Sequence, residues 1–178
     1  SEMCIRDRYL SSKNILPGIK VDQGLEDFSP YEKLTIGLDG LSERLEKYYS
    51  LGAKFAKWRA VITPGDSIPT DDCILANAKS LAKYAKKCQQ ANLVPIVEPE
   101  VLMDGAHTID ESFDITSRTL NMVFDQLDEH NVSLQGIVLK PNMILSGYEC
   151  SYQASIEEVA EKTINCLSAH VPSEVPGI

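Results

Sequence analysis

A lysine at the end of an apolar run is the residue of this sequence best suited to do chemistry. Small and apolar residues lead to Lys140, and Pro141 follows it directly. Because proline cannot donate a hydrogen bond within a sheet, a buried strand would end here. An amine set among Val138, Leu139 and Met143 would lose hydration, which lowers its pKa and makes it a nucleophile. The alternative is an ordinary solvated lysine at the end of a strand.

Polar residues two positions apart end four of the apolar runs in this chain. The pairs are Lys20 with Asp22, Lys57 with Arg59, Glu98 with Glu100, and Lys140 with Asn142. Because strand side chains alternate between faces, both members of a pair would lie on one face. Any single pair could be a solvated edge, a loop start or a local ion pair. Pairs on consecutive strands, with charges of both signs that offset one another, favour a single functional site.

The residue types in these pairs indicate a reaction with a carbonyl compound. Lys140 is the candidate nucleophile, which would form a carbinolamine and then a Schiff base. Glu98 can act as general acid and base during dehydration and during cleavage of a carbon–carbon bond. Lys57 and Arg59 would disfavour a further ammonium nearby and so lower the pKa of Lys140.

The remaining charged residues have supporting roles in this hypothesis. Glu100 is expected to orient Lys57. Lys20, Lys57 and Arg59 offer cationic sites for phosphate or oxyanion groups. Asp22 is expected to pair with Lys20.

Composition limits the classes of protein and partner. The chain has 178 residues, of which 43% are hydrophobic, and these values are typical of one globular domain. A net charge of −9 argues against nucleic acid as a partner. No apolar stretch approaches the roughly 20 residues of a membrane span. The five cysteines are scattered without zinc-site spacing, which indicates free thiols in a cytoplasmic protein without a metal.

Apolar runs recur about every 40 residues, which is the length of one strand–helix unit. The predicted strands cover residues 15–21, 55–62, 93–97 and 134–139, and a further run begins at 175–178. Helical patterns cover residues 41–49, 74–90, 113–130 and 155–169. Asp39 or Ser42 is the predicted cap of the first helix, and Ser155 and Glu158 are expected to form a capping box at the start of the last. Asn92 and Asn131 are expected to end the two middle helices.

This alternation predicts a parallel sheet with helices outside it. The sheet could be an open, doubly wound sheet or a closed (β/α) barrel. No glycine-rich nucleotide-binding loop follows any strand, and chemistry at several strand ends favours the barrel. The predicted units amount to roughly half of an eight-stranded barrel.

Five segments closely resemble class I fructose-bisphosphate aldolase. They are residues 16–22 (LPGIKVD), 37–41 (GLDGL), 55–59 (FAKWR), 94–100 (VPIVEPE) and 139–143 (LKPNM), and the resemblance extends from Ile15 to Ile178. It implies a (β/α)8 TIM barrel, of which this chain would carry about strands 3 to 6 and the start of strand 7. It also implies a metal-independent enzyme, without a cofactor and usually a homotetramer.

The resemblance implies a role for each candidate residue. Lys140 would form the Schiff base with the dihydroxyacetone phosphate half of the substrate, and Glu98 would shuttle protons. The residues expected to line the site are Lys57, Arg59, Glu100, Lys20 and Asp22. The reaction would cleave fructose 1,6-bisphosphate, a phosphorylated sugar, to dihydroxyacetone phosphate and glyceraldehyde 3-phosphate in glycolysis and gluconeogenesis.

The ends of the chain suggest a fragment. Residues 1–8 resemble the translation of a sequencing adapter, so residues 9–178 are expected to form the aldolase domain. Further site residues of the family would lie before residue 1 and beyond Ile178. Two other functions stay open: a barrel without catalytic activity that binds protein partners, and a lysine-dependent aldolase for another sugar phosphate.

Overall fold

A computed structural model describes residues 8–178, which form a parallel sheet covered by helices. The strands are β1 (Gly18–Lys20), β2 (Leu25–Ser29), β3 (Glu32–Thr35), β4 (Phe55–Ile62), β5 (Val94–Val101) and β6 (Val138–Leu139). The helices are α1 (Leu41–Ser50), α2 (Asp71–Gln90), α3 (Ile109–Glu129) and α4 (Ile156–His170), with a 3-10 turn at Leu134–Gly136. Residues 8–12 are also helical.

The main sheet has the order β1-β4-β5-β6, and every pair of neighbours in it is parallel. A helix lies between each strand of this sheet and the next one, and the β2–β3 hairpin is inserted between β1 and α1. Strands that follow one another in this way are those of a (β/α) barrel, so the predicted fold class is confirmed as part of such a barrel. The backbone amide of Leu139 donates to the carbonyl of Gly177 at 3.1 Å, which continues the pairing beyond β6.

Strands β4 and β5 separate a polar face from an apolar face. Ala56, Trp58 and Ala60 point towards the helices and are buried. The Trp58 ring stacks on Tyr84 of α2 with a centroid distance of 5.5 Å, and the Tyr84 hydroxyl donates to the carbonyl of Ala56 at 2.7 Å. Such ring pairs contribute about 0.5–1.5 kcal/mol beyond their buried area. The core therefore lies between sheet and helices, and the other face is free to carry polar groups.

The strand bounds differ from the predicted ones at β5 and at β1. β5 continues to Val101, whereas the sequence predicted its end at Val97. Past Val97 only the side chains that face the helices remain apolar. The continuous apolar run in the sequence therefore ends before the strand does. β1 is shorter than predicted, and Ile15 and Leu16 are exposed. Residues 134–136 form the 3-10 turn before β6.

The antiparallel hairpin of β2 and β3 was not predicted. Its strands are short and most of β2 is exposed, so the sequence lacks the alternation that marks a strand. Glu32 is only 2% exposed and accepts hydrogen bonds from the amide of Thr70 at 2.7 Å and from the hydroxyl of Ser29 at 3.0 Å. The hairpin is therefore anchored at the start of α2, which is a tertiary contact.

Helix starts are set by residues that the sequence analysis partly missed. The predicted cap of α1 at Asp39 or Ser42 is wrong, because Gly40 occupies the cap position with φ 60° and no side chain caps the helix. α2 begins before the predicted Ile74, because the Thr70 hydroxyl accepts from the backbone of its first turn.

The other helix ends follow familiar rules. Thr108 and Glu111 form a capping box that opens α3 earlier than predicted. Ser155 caps α4 as predicted, but the Glu158 carboxylate accepts from the Tyr152 hydroxyl at 3.1 Å and does not complete the predicted capping box. Asn92 and Asn131 have φ values of 57° and 52°, which confirms that they end helices in the left-handed region.

Residues 1–8 were predicted not to be native. Of these, residues 1–7 lie outside the described residues, and Arg8 is the first described residue. Between residues 8 and 178, no helix is both long and apolar enough to cross a membrane.

Candidate active site

The polar face of the sheet collects the charged residues at the carboxyl ends of the strands. Parallel pairing places Lys20 beside Lys57, and Arg59 beside Glu98. Side chains at paired positions share a face, so these four form two neighbouring rows. The helices cover the opposite face, which leaves these rows open to a ligand.

Glu98 is the centre of this cluster. Its carboxylate accepts a hydrogen bond from Lys57 Nζ at 2.7 Å, and its second oxygen accepts one from Lys140 Nζ. The Glu98 side chain is only 2% exposed, whereas those of Lys57 and Lys140 are 31% and 54% exposed. Three strands thus place two ammonium groups on one buried carboxylate.

The charge state of Glu98 follows from opposing effects. Burial alone would raise its pKa, because an ionised carboxylate loses hydration. The hydrogen bonds and charges of Lys140 and Lys57 outweigh burial and hold the pKa of Glu98 below its ordinary value of 4.5. Glu98 is therefore ionised at neutral pH and lies within hydrogen-bond reach of both lysines.

Lys140 is less enclosed than the sequence suggested. The prediction that the amine loses its hydration among Val138, Leu139 and Met143 is wrong, because the Lys140 side chain is 54% exposed and Met143 is 59% exposed. A cavity of about 430 Å³ lies beside the lysine, lined mainly by apolar residues that include Ile96 and Val138. The close partner of the amine is the carboxylate of Glu98, so activation in this arrangement depends on proton transfer to Glu98.

Arg59 and Glu100 form a second ion pair, two residues further along β4 and β5 than the pair of Lys57 and Glu98. Arg59 Nη1 lies 2.9 Å from Glu100 Oε2, and both side chains are partly exposed. The prediction that Glu100 orients Lys57 is therefore wrong. Each cation of β4 reaches the carboxylate two residues beyond its paired position on β5, so Lys57 contacts Glu98 and Arg59 contacts Glu100.

Lys20 and Asp22 pair with each other at 2.5 Å, as predicted. The Asp22 side chain is 6% exposed, whereas that of Lys20 is 57% exposed. Arg44 of α1 donates to the carbonyl of Val21 at 2.9 Å and also contacts the carbonyl of Gly37. These contacts fix the end of β1 and leave the Lys20 ammonium at the edge of the polar face.

Asn142 lines the same cavity as Lys140, but its side-chain amide is bonded to neighbouring elements and not to the lysine. Pro141 ends β6, and the chain then turns so that Asn142 Oδ1 accepts from the amide of Val101 at 3.1 Å. Its Nδ2 donates to the hydroxyl of Thr116 at 3.0 Å. The alternation of side chains holds only while the strand continues.

Several residues that support the site were not predicted from the sequence. Thr35 of the hairpin donates its hydroxyl hydrogen to the carbonyl of Arg59 at 2.7 Å. Arg44 and Thr116 hold the ends of β1 and β6 as described above. No local signal marks them, because each contacts a partner at least 23 residues away in the sequence that only the fold brings near.

The described residues contain no group of three or more His, Cys, Asp or Glu side chains arranged to hold a metal ion. A larger cavity of about 670 Å³ lies between the β4–α2 loop and the start of α3, and none of the candidate residues lines it. The charged cluster is therefore the candidate active site on chemical grounds, since it combines an amine, a buried base and partly exposed cationic groups.

Known proteins resemble this chain in sequence and fold over nearly its whole length. The family model described as fructose-bisphosphate aldolase class-I matches residues 5–178. A "Probable fructose-bisphosphate aldolase class 1" of Xanthomonas axonopodis is 54% identical over 96% of this chain and 52% of its own length. The "Fructose-bisphosphate aldolase 1" of Toxoplasma gondii is 50% identical over 95% of this chain and 48% of its own length. The chain thus spans about half the length of these curated relatives.

A solved structure agrees with this. The fructose-bisphosphate aldolase of Plasmodium falciparum, crystallised in complex with TRAP and a small-molecule inhibitor, superposes with a TM-score of 0.93. It is 46% identical, and the match covers 96% of this chain and 50% of that chain. Family model, relatives and fold agree with the cluster of Lys57, Glu98 and Lys140: this chain belongs to the class I fructose-bisphosphate aldolase family.

Proposed function

We propose that this chain carries the Schiff-base centre of a class I aldolase that cleaves fructose 1,6-bisphosphate to dihydroxyacetone phosphate and glyceraldehyde 3-phosphate. The observation that carries the proposal is the contact of Lys57 and Lys140 with the two oxygens of the buried Glu98. A nucleophilic amine and a general base within hydrogen-bond reach are what covalent catalysis on a carbonyl requires. The substrate is inferred from the family to which the chain belongs.

Formation of the Schiff base needs one proton to move in and out of Glu98. The carboxylate takes a proton from the Lys140 ammonium, and the free amine attacks the ketone carbon of the substrate. The new carbon–nitrogen bond leaves an extra proton on the nitrogen and a negative charge on the former carbonyl oxygen. That proton moves from the nitrogen to the oxygen, which becomes the hydroxyl of a carbinolamine. Glu98 returns its proton to that hydroxyl, which leaves as water while the carbon–nitrogen double bond forms.

Cleavage of the sugar uses the same base. Glu98 removes the proton from the hydroxyl on the carbon that becomes the aldehyde. The electrons of the breaking carbon–carbon bond move into the iminium of Lys140, which leaves an enamine and a free aldehyde. Reprotonation of the enamine and addition of water then release the ketone product and restore the lysine.

The cations around Glu98 suit an anionic substrate. Lys57 stays close to the reacting groups and can stabilise the developing negative charge on oxygen. Lys20 and Arg59 lie on either side with partly exposed head groups, so a phosphate can reach them. Glu100 holds Arg59 in place and Asp22 holds Lys20. The cluster holds one more cation than it has carboxylates, so the site is locally positive although the whole chain has a net charge of −9.

The proposal extends to the whole protein that contains this chain. It would act in the cytoplasm as a homotetramer and would need neither metal nor organic cofactor, since the lysine itself supplies the electron sink.

Trapping of the Schiff base tests the proposed function. A full-length protein containing this chain should gain a covalent adduct on Lys140 when borohydride is added with dihydroxyacetone phosphate, as seen by peptide mass spectrometry. Lys140→Arg should abolish the adduct and cleavage, because a guanidinium is not nucleophilic. Lys83→Arg, on an exposed position of α2, is the matched control and should keep both.

Other outcomes identify the alternatives. A wild-type protein that is not modified and cleaves no sugar phosphate contradicts the proposal and favours a barrel that binds protein partners. A trapped protein that cleaves another ketose phosphate faster than the bisphosphate would instead be an aldolase of different specificity.

A further inference from the structure

We propose that Asn142 is a positioning residue, which holds the Lys140 amine against Glu98 by fastening the chain after β6 to β5 and α3. This inference rests on the proposed function, since it concerns the same lysine. It is based on the hydrogen bonds that the side-chain amide of Asn142 makes to β5 and α3.

The sheet cannot fix the chain beyond Lys140 by backbone pairing. The amide of Lys140 donates to the carbonyl of Val97 at 2.8 Å, which is the last ladder bond between β6 and β5. Pro141 has no amide hydrogen, so the ladder ends there for a chemical reason. β5 nevertheless continues to Val101, whose backbone amide has no partner in the ladder between β5 and β6.

The side chain of Asn142 replaces the missing backbone pairing. Its Oδ1 accepts from the amide of Val101 at 3.1 Å. Val101 is 2% exposed, so its backbone amide would be buried without a hydrogen-bond partner if Asn142 did not accept from it. Glu98 lies between Val97 and Val101 on β5. The contact of Lys140 with Glu98 is therefore bracketed by two bonds between the same two segments, one before it and one after it.

A second set of bonds fixes the turn against the helices. Asn142 Nδ2 donates to the Thr116 hydroxyl at 3.0 Å and to the carbonyl of Met143 at 3.1 Å. Thr116 belongs to α3 and is 1% exposed, so its hydroxyl is held in the core. The amides of Ile144 and Leu145 donate to side chains of α4 and α3, but of these anchors Asn142 alone contacts β5.

Loss of the Asn142 amide should loosen Lys140 relative to Glu98 without changing either group. Proton transfer and attack on the carbonyl depend on that distance, and a displacement of about 1 Å can cost about 100-fold in rate. Substrate binding depends mainly on the cations of β1 and β4, which Asn142 does not touch. The signature of positioning is therefore a fall in kcat with little change in KM.

Gln89 offers a matched control at the other end of β6. Its side-chain amide also bridges a helix and the chain next to β6, with Oε1 accepting from the amide of Ser133 at 3.0 Å and Nε2 donating to the Ser133 carbonyl at 2.8 Å. This end of a barrel contributes to stability and not to catalysis. Gln89→Ala thus removes equivalent bonds away from the reacting groups.

The experiment compares Asn142→Ala with Gln89→Ala in the full-length protein that contains this chain. Asn142→Ala should lower kcat and the rate of borohydride trapping on Lys140 by about 10- to 100-fold, with KM within about threefold of wild type. Gln89→Ala should lower the melting temperature to a similar extent but keep kcat within about twofold. Equal effects of the two variants on kcat and trapping would overturn the inference.

A pair of conservative variants keeps the test decisive if Asn142→Ala does not fold. Thr116→Val removes the hydroxyl that Asn142 contacts and should lower kcat, whereas Thr116→Ser keeps the hydroxyl and should restore it. Similar kcat values for the two would also overturn the inference. A wild-type protein that borohydride does not modify would instead overturn the proposed function, and this inference with it.

Discussion

At the scale of single residues, the site is organised by one buried carboxylate. Glu98 is 2% exposed and compensates two lysines from neighbouring strands. An ionised carboxylate in that position is stable only because both ammonium groups donate to it. The lysines in turn keep their more exposed head groups on the polar face because Glu98 holds them. Each of the three side chains therefore depends on the other two for its position.

Glu98→Gln should separate this central role from that of its neighbour on β5. The amide cannot take the proton of Lys140, and it leaves two ammonium groups without a counter-charge, so kcat should fall by about 100- to 10,000-fold. Glu100→Gln should cost less than about tenfold, because its pair with Arg59 is partly exposed and such pairs contribute about 0–1 kcal/mol. Steady-state cleavage of fructose 1,6-bisphosphate measures both. Comparable losses in the two variants would contradict the central role of Glu98.

At the scale of elements, two loops beside the site hold each other. The amide of Tyr148 donates to the carbonyl of Met103 at 2.9 Å, and the amide of Gly147 donates to the carbonyl of His107 at 2.8 Å. A side chain at Gly147 would begin 2.2 Å from the carbonyl oxygen of Gly105, so only glycine allows this approach. The loop after β5 and the loop after β6 are thus fastened to each other by backbone hydrogen bonds.

His107 makes this pair of loops sensitive to acid. Burial lowers the pKa of His107 below its ordinary value of 6.5, and the carboxylate of Glu111 offsets part of that shift. Because the folded protein binds the proton less readily than the unfolded chain, stability is complete above pH 6.5 and declines as the pH falls through the folded pKa.

Replacing His107 should remove that part of the pH dependence. Urea unfolding of the full-length protein between pH 8 and pH 5 should show a smaller loss of stability for His107→Gln than for wild type. The control His170→Gln alters a histidine of α4 that pairs with Asn121 at 2.8 Å, and it should retain the wild-type loss. Parallel pH profiles for wild type and His107→Gln would show that the burial of His107 has no such effect.

At the scale of the whole molecule, the described residues leave apolar groups uncovered. Ile156 is 85% exposed, Leu16 is 67% exposed and Ile164 is 63% exposed. β1 is bonded on one side only within the sheet, so its other edge is open. Open edges and exposed apolar groups favour association with other chains.

The 178 residues expressed alone should therefore aggregate or bind a hydrophobic dye, and should show little or no cleavage of the bisphosphate. Size-exclusion chromatography, dye fluorescence and a coupled enzyme assay test this on the purified chain. A monomer with measurable turnover would contradict it.

The sequence by itself determined the alternation of strands and helices, the ends of the helices at Asn92 and Asn131, and the candidate residues at each strand end. These features depend on neighbouring residues: apolar period, caps, and the effect of Pro141 on β6. Charges on consecutive strands indicated a site because parallel strands bring their carboxyl ends to one edge.

Only the tertiary structure decided which of these charges pair and which side chains support them. Glu98 rather than Glu100 contacts Lys57, because the offset between neighbouring strands selects the partner. The exposure of Lys140 and the turn of Asn142 towards Val101 depend on contacts across more than 40 residues of sequence. Pairing offset and long-range packing are properties of the assembled sheet and helices, and no local pattern of residues encodes them.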